Sequence, residues 1–235
     1  MFRIDFMSVK GKVMASEKRT KTSDLIYEEI KRRIIEFEYE PNEHLSEEHL
    51  AESLQVSRTP LREALFRLQL EHLVTKQSTG RIVVSRLTIS EAEELYQVRE
   101  FLQALVAREA ALNMTAPLLA KLDDKMAQMR QSAADGQYAE MVANGRDFHK
   151  LLYEAVPNGT VIRFLEQLRN RIDRYRRIGG YKYPNYSPQL PIEEHQHILE
   201  CIRRGDADGA EAAMRLHIRN SLERTKEVLQ VSFVK

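Results

Sequence analysis

Residues 57–65, Ser57-Arg58-Thr59-Pro60-Leu61-Arg62-Glu63-Ala64-Leu65, decide the fold of the first third of the chain. They follow a helix-like segment, 46–54, after a turn of two or three residues, and they open a second helix. Pro60 fits a first turn because the N–H groups there have no intrahelical partner to lose. Ser57 or Thr59 supplies a capping hydroxyl. Arg58 and Arg62 are four apart, so both guanidinium groups leave one face near the helix start. That end of a helix already favours phosphate. A short helix, a tight turn and a helix armed at its start present side chains to a DNA major groove. The alternative is an ordinary amphipathic helix with a solvated arginine pair, and the flanking segments weigh against it.

Upstream, 23–37 has Leu25, Ile26, Ile30, Ile34 and Phe37 at helical spacing behind Ser23, and Pro41-Asn42 breaks it. Ser46 caps the next helix, which turns Leu50, Ala51 and Leu54 inward. Downstream, Leu73-Val74-Thr75 and Arg81-Ile82-Val83-Val84-Ser85 are β-rich runs around Gln77-Ser78-Thr79-Gly80, a hairpin with glycine at its tip. Three helices and a hairpin make a winged helix-turn-helix. Its candidate DNA contacts are Ser57, Arg58, Thr59 and Arg62 on the helix and Thr79, Gly80 and Arg81 on the wing.

Charge agrees locally. The 235-residue chain has 36 basic and 35 acidic residues, which excludes a polycationic DNA coat. Residues 57–86 nevertheless carry an excess of four positive charges, while 36–52 hold seven acids and no Lys or Arg. The footprint is narrow, as in a site-specific binder of double-stranded operator DNA. One cysteine, Cys201, excludes an intramolecular disulfide framework and suits a reducing cytosol. No apolar run approaches the roughly 18–20 residues of a membrane span, so a cytoplasmic protein without a membrane partner is expected. Residues 1–21 read as a flexible, mildly basic tail rather than a signal peptide, with Met7 and Met14 as further candidate starts.

Beyond Leu87 the pattern is helical. Thr88 or Ser90 caps a long helix, and others are expected over roughly 116–133, 137–155, 159–177, 191–203 and 207–231, punctuated by Pro157-Asn158-Gly159, Gly179-Gly180 and Gly205-Asp206. The segment 179–190, rich in Tyr and Pro, is a connector or a lid. The fold class is mainly α: a winged helix-turn-helix domain over 22–86, then an antiparallel α-helical bundle over 87–231.

Histidines mark the bundle core. His149 shares a stripe with Val142, Gly145, Leu152 and Val156; His195 with Ile198, Leu199 and Ile202; His217 with Ala210, Ala213 and Met214. One histidine on an apolar face is usually a satisfied core residue. Three on the inward faces of three helices make a site for a divalent metal, with Zn²⁺ the default and Ni²⁺, Mn²⁺ or Fe²⁺ open. A metal-free pocket of three hydrogen-bonded histidines is the other reading. His197, roughly 200° around the helix from His195, faces elsewhere. Metal occupancy is expected to fall below the ordinary imidazole pKa of about 6.5.

Two resemblances follow from these residues. Residues 22–86 resemble the N-terminal domain of GntR-family bacterial transcriptional regulators through Leu45-Ser46-Glu47, Leu50-Ala51, Val56 to Leu65, Leu68 and Gly80. The resemblance implies operator contacts from Arg58, Arg62 and the wing tip. Fatty-acid-responsive members of the FadR subfamily carry a further DNA-contacting arginine where this chain has Glu48. Residues 87–231 resemble the all-helical FCD-type effector domain of the FadR subfamily through Phe148-His149, Glu194-His195 and the stretch from Gly205-Asp206 to His217. This implies a small carboxylate effector, with Arg99, Gln103 and Asn144 as its candidate contacts. Metal-binding members have an aspartate where this chain has Gly145, so a weakened metal site is implied, completed by water, an effector carboxylate or Asn144 in an irregular turn.

The expectation is a ligand-responsive transcriptional regulator, a repressor released by effector, that binds a palindromic operator as a homodimer. The alternative is a three-histidine metal enzyme fused to a DNA-binding module. Against that, no His-Glu-x-x-His is present, and Glu194 is expected to point off the face of His195.

Overall fold

The computed structural model describes residues 22–181 and 187–232. The tail over 1–21 and residues 182–186 of the 179–190 connector or lid lie outside the described residues. The chain divides into two compact units after Arg86.

In the first unit, α1 (22–35) places Ile26, Ile30 and Ile34 in the core at i,i+4 spacing. It stops before Phe37, which takes φ 58°. A short strand, β1 (His44–Leu45), leads to α2 (Glu47–Ser53), where the Ser46 hydroxyl accepts from the His49 N–H at 3.4 Å. In the turn that follows, Val56 N–H reaches back to the Ala51 carbonyl at 3.0 Å and Gln55 sits at φ 53°. That is a Schellman-type stop with glutamine in the left-handed position where glycine is usual. Next, α3 (Arg58–Leu70) buries Pro60, Leu61, Ala64, Leu65 and Leu68 against α1 and α2. Ser57 occupies the N-cap, but its hydroxyl makes no capping bond, which corrects the expected hydroxyl cap.

The wing is β2 (Val74–Lys76) and β3 (Ile82–Val84), paired antiparallel with Thr75 opposite Val83. Gln77 N–H donates to the Arg81 carbonyl at 2.8 Å, and Gly80 closes the tip at φ 83°, a value that favours glycine. The expected two-stranded hairpin gains a third strand: β1 pairs with β3, in the order β1-β3-β2. Two residues are too few to show an alternating pattern in the sequence.

The second unit is built of α4 (Ile89–Asn113), α5 (Ala116–Ala134), α6 (Tyr138–Tyr153), α7 (Gly159–Tyr181), α8 (Gln189–Arg203) and α9 (Ala207–Ser232). Thr88 caps α4 by accepting from the Glu91 N–H at 3.1 Å. Side-chain pairs show that α4 and α9 run antiparallel: Glu93 meets Lys226, Tyr96 meets Thr225, Glu100 meets Arg219, and Arg108 meets Asp208. The α5–α6 hairpin shows the same reversal, from Lys121–Glu154 to Ser132–Asn144. Gly205, at φ 67°, stops α8, and Asp206 accepts from the Gly209 N–H at the start of α9. Gly179 and Gly180 do not end α7, which continues to Tyr181. Two glycines weaken a helix by about 1 kcal/mol each relative to alanine, and the packing of buried Ile172, Tyr175 and Ile178 carries the helix up to them.

Candidate functional site

The first unit offers an exposed reading face. Arg58 and Arg62 leave the start of α3 with side chains 63% and 65% exposed. Each is met by an acid from α2. Arg62 Nε donates to Glu47 Oε2 at 2.7 Å, and Arg58 Nη2 approaches Glu48 Oε1 at 3.4 Å. Ser57, Thr59, Thr79, Gly80 and Arg81 are exposed as well. Glu48 engages the Arg58 cation, and as an anion it would repel phosphate. Glu48→Gln is therefore expected to tighten binding to all DNA by about two- to fivefold, the scale of an exposed ion pair. Titrations of operator and random duplexes at two salt concentrations check this.

The second unit encloses a cavity of about 520 Å³ including its mouth. Helix α6 supplies His149, α8 His195 and α9 His217, which are 2%, 4% and 4% exposed. One ring nitrogen from each lies within 4.8 Å of the others. The Nδ1 atoms are pinned from behind. His195 Nδ1 donates to the Pro191 carbonyl at 2.6 Å, and His217 Nδ1 to Glu194 Oε2 at 2.7 Å. Both acceptors lack protons, which fixes these two tautomers with Nε2 bare. His149 Nδ1 faces Gln103 Oε1 at 3.4 Å.

His149 and His217 turn Nε2 toward each other, His195 keeps its Nε2 bare, and the three rings are close enough to fit a metal. His149 Nε2 lies 3.2 Å from His217 Nε2. A proton shared between those two would satisfy them, but His195 Nε2, fully buried, would still have no hydrogen-bond partner. A cation serves all three at once, and each backing acceptor orients its imidazole. Gly145 leaves room beside the site: a Cβ there would stand 3.6 Å from His195 Nε2.

Burial holds all three imidazoles neutral. His149 and His195 are pushed well below the ordinary value. His217 is pushed down to about 4 by burial, against the opposing hydrogen bond to Glu194. The window expected from the ordinary imidazole value moves down accordingly. Between pH 6.5 and about 4 the unfolded chain binds protons that the folded chain does not, so stability falls as pH falls across that range. Unfolding of the metal-free chain at pH 7, 6, 5 and 4 is expected to show this loss, reduced in His217→Gln.

Four arginines line the cavity: Arg99, Arg146, Arg176 and Arg224. Arg99 is 1% exposed, and its Nε and Nη1 have no hydrogen-bond partner. Its ring contact is the face of Tyr96, 4.9 Å away. Arg224 grips Glu194 with two bonds of 2.9 Å, so one carboxylate ties the His217 imidazole to a cavity arginine.

The structure brings Arg99 to the cavity with the three histidines. Gln103 stands behind His149 instead, and its amide donates to the Tyr153 hydroxyl at 2.8 Å. Asn144 is turned away: it donates to Ser132 and accepts from Lys125. Helix α6 is regular at that point, so no irregular turn brings Asn144 into the shell. Glu194 points off the His195 face, as expected. It leaves the His195 face to reach His217, Asn220 and Arg224 on α9. The spacing 217, 220, 224 marks one face of α9 and was the available signal. His197 is exposed. Among the described residues no helix is long and apolar enough to cross a membrane.

The comparisons agree with both units. Residues 22–84 match the family model for bacterial regulatory proteins of the gntR family, and residues 94–220 match the FCD domain. Among curated relatives, an HTH-type transcriptional regulator of Streptomyces ambofaciens is 29% identical over 86% of this chain and 83% of its own length. The Nta operon transcriptional regulator of Aminobacter aminovorans is 28% identical over 83% and 90%, and the HTH-type transcriptional repressor RspR of Escherichia coli is 24% identical over 87% and 89%. Among solved structures, McbR/YncC of E. coli superposes with a TM-score of 0.74 at 20% identity, covering 88% of this chain and 97% of that one. The chain belongs to the GntR family of bacterial transcriptional regulators, in the branch whose effector domain is FCD, and it is a regulator of transcription rather than an enzyme.

Proposed function

We propose that this regulator is a homodimeric repressor whose grip on a palindromic operator is released by a small carboxylate bound beside a divalent metal. The domain over 22–86 docks on DNA, with the start of α3 in the major groove and the wing on the backbone or minor groove. The domain over 87–231 binds the effector and pairs the two copies.

The observation that carries this reading is the pairing of two unmet needs in one cavity. A buried imidazole nitrogen, His195 Nε2, lacks a partner, and so do two nitrogens of the buried Arg99 guanidinium. Buried polar groups without partners are rare. A metal on the three histidines answers the first, and an anionic ligand answers the second. His149, His195 and His217 would hold the ion, which would supply Lewis acidity to anchor a carboxylate. Gln103, the Pro191 carbonyl and Glu194 keep the imidazoles oriented, while Arg99 binds the anion.

For the dimer, α4 carries an outward apolar row, Val98, Phe101 and Leu112, all exposed, with Arg215 of α9 lying over the Phe101 ring. A second copy would cover that row. A single winged helix contacts too few base pairs for specificity in a genome, and a two-fold pair would contact an inverted repeat.

The test is operator release. Purified full chain, loaded with Zn²⁺, is titrated with small carboxylates while bound to its footprinted operator. Release without turnover of the acid supports the reading. A palindromic footprint and a dimer by native mass spectrometry are expected alongside. A chain that stays monomeric at micromolar concentration, free and on DNA, would refute the dimer.

A further inference from the structure

We infer that the effector is a dicarboxylate, with one carboxylate at the three-histidine pole and the other on Arg99. This rests on the effector reading above and narrows it to a charge class.

The argument is electrostatic. Among the described residues lining the cavity, four are arginines, three are histidines and none is a carboxylate. Three of the arginines have an acid nearby: Arg224 with Glu194 at 2.9 Å, Arg176 with Asp173 at 3.4 Å, and Arg146 with Asp147 at 3.5 Å. Arg99 has no such pair. Its neighbour Arg176 adds repulsion to the burial that already disfavours its charge. Asp173, bridged to Arg176, favours the Arg99 charge without bridging to it, so this buried guanidinium has no acid in direct contact, which is costly.

The histidine pole adds to this. Neutral imidazoles contribute no negative charge, so a divalent ion held by His149, His195 and His217 would keep both of its charges. Gly145 brings no side chain to that pole, although a Cβ there would stand 3.6 Å from His195 Nε2 and 3.4 Å from Met129 Cε. The ligand has to bring the anion that residue 145 does not.

The two poles belong to different helices. Arg99 projects from α4, while the histidines come from α6, α8 and α9. Both poles line the same cavity. A monocarboxylate neutralises one pole and leaves the other bare. Inorganic phosphate carries its charge on one compact tetrahedron, so it tests whether a dianion without a second carboxylate is enough. A short diacid answers both poles, with one planar carboxylate for the guanidinium fork.

The test uses matched probes on the zinc-loaded full chain: malonate, succinate and glutarate, each beside its half-amide and its monoacid of equal length, with inorganic phosphate as a further probe. Affinity is measured by calorimetry, with zinc content determined on the same samples. At the best chain length the diacid is expected to bind at least tenfold tighter than its half-amide. Arg99→Gln should erase that difference, and Arg99→Lys should restore part of it. Should either variant fail to fold, the wild-type comparison decides alone. Half-amide or monoacid binding equal to the diacid overturns this inference and leaves the effector reading standing. So does tighter binding by phosphate. No binding by any acid overturns both.

Discussion

Arg58→Ala and Arg62→Ala are each expected to weaken operator binding by about 1–3 kcal/mol, the worth of a bidentate arginine contact to a base. Their combination should reduce binding to the level of random DNA. Both side chains are more than half exposed at the start of α3, so fold and assembly should be untouched, as checked by melting temperature and native mass. The partners distinguish the two. Glu47 takes only the Nε of Arg62, at 2.7 Å, which leaves both terminal nitrogens of that guanidinium for a base. Glu48 meets a terminal nitrogen of Arg58 at 3.4 Å, so that contact must break before Arg58 can use the same fork. Glu47→Gln should therefore loosen specificity at the base pair under Arg62. Arg81→Ala, at the wing, should weaken all sequences alike and flatten the salt dependence. Operator binding by the double variant equal to wild type would show that this helix does not enter the groove.

The DNA-binding unit was largely legible in the sequence because its signals are local. Pro60 and the Arg58/Arg62 pair sit within one helical turn of each other, and Gly80 marks the wing by a backbone angle that few other residues adopt. What escaped was also local but faint: Gln55 fills a left-handed turn without glycine, and β1 is two residues long. In the bundle, helical periodicity placed the three histidines on inward faces, and the structure converges them. Their supports were not legible. Gln103, the Pro191 carbonyl and Glu194 lie 46, 4 and 23 positions from the rings they pin, and two of the three come from a different helix. Glu194 is the instructive case: helical geometry correctly turns it off the His195 face, yet only packing shows that α9 waits there with His217 and Arg224. Asn144 fails for the converse reason. It adjoins Gly145 in sequence, but one residue is about 100° of rotation on a helix, enough to aim it at Ser132 instead.

Gly145→Asp provides the most discriminating result for the bundle. The backbone at 145 is helical, and an added Cβ meets its nearest atom, Met129 Cε, at 3.4 Å, so the substitution should be accommodated. Its carboxylate would enter one turn before His149, beside His195 Nε2, and would convert three neutral ligands into a charged set of four. Zinc affinity is expected to rise at least tenfold, and small carboxylates should bind more weakly because residue 145 now occupies the place they would take. Gly145→Ala is the control, since it adds up to about 1 kcal/mol of helix propensity but no ligand. In wild type, zinc at a thousand times its Kd should stabilise the fold by about 4 kcal/mol, and at 2–4 °C per kcal/mol for a unit of this size the melting temperature should rise by about 8–16 °C. His149→Ala, His195→Ala and His217→Ala should each abolish that rise, while His197→Ala, on the exposed face of α8, should retain it. Glu194→Gln keeps an acceptor for His217 but loses the charge shared with Arg224, so it should lower zinc affinity without eliminating it, by about 10- to 100-fold as other outer partners do. If neither wild type nor Gly145→Asp takes up zinc at neutral pH, the three imidazoles are pocket residues and Arg99 must hold the effector without a metal.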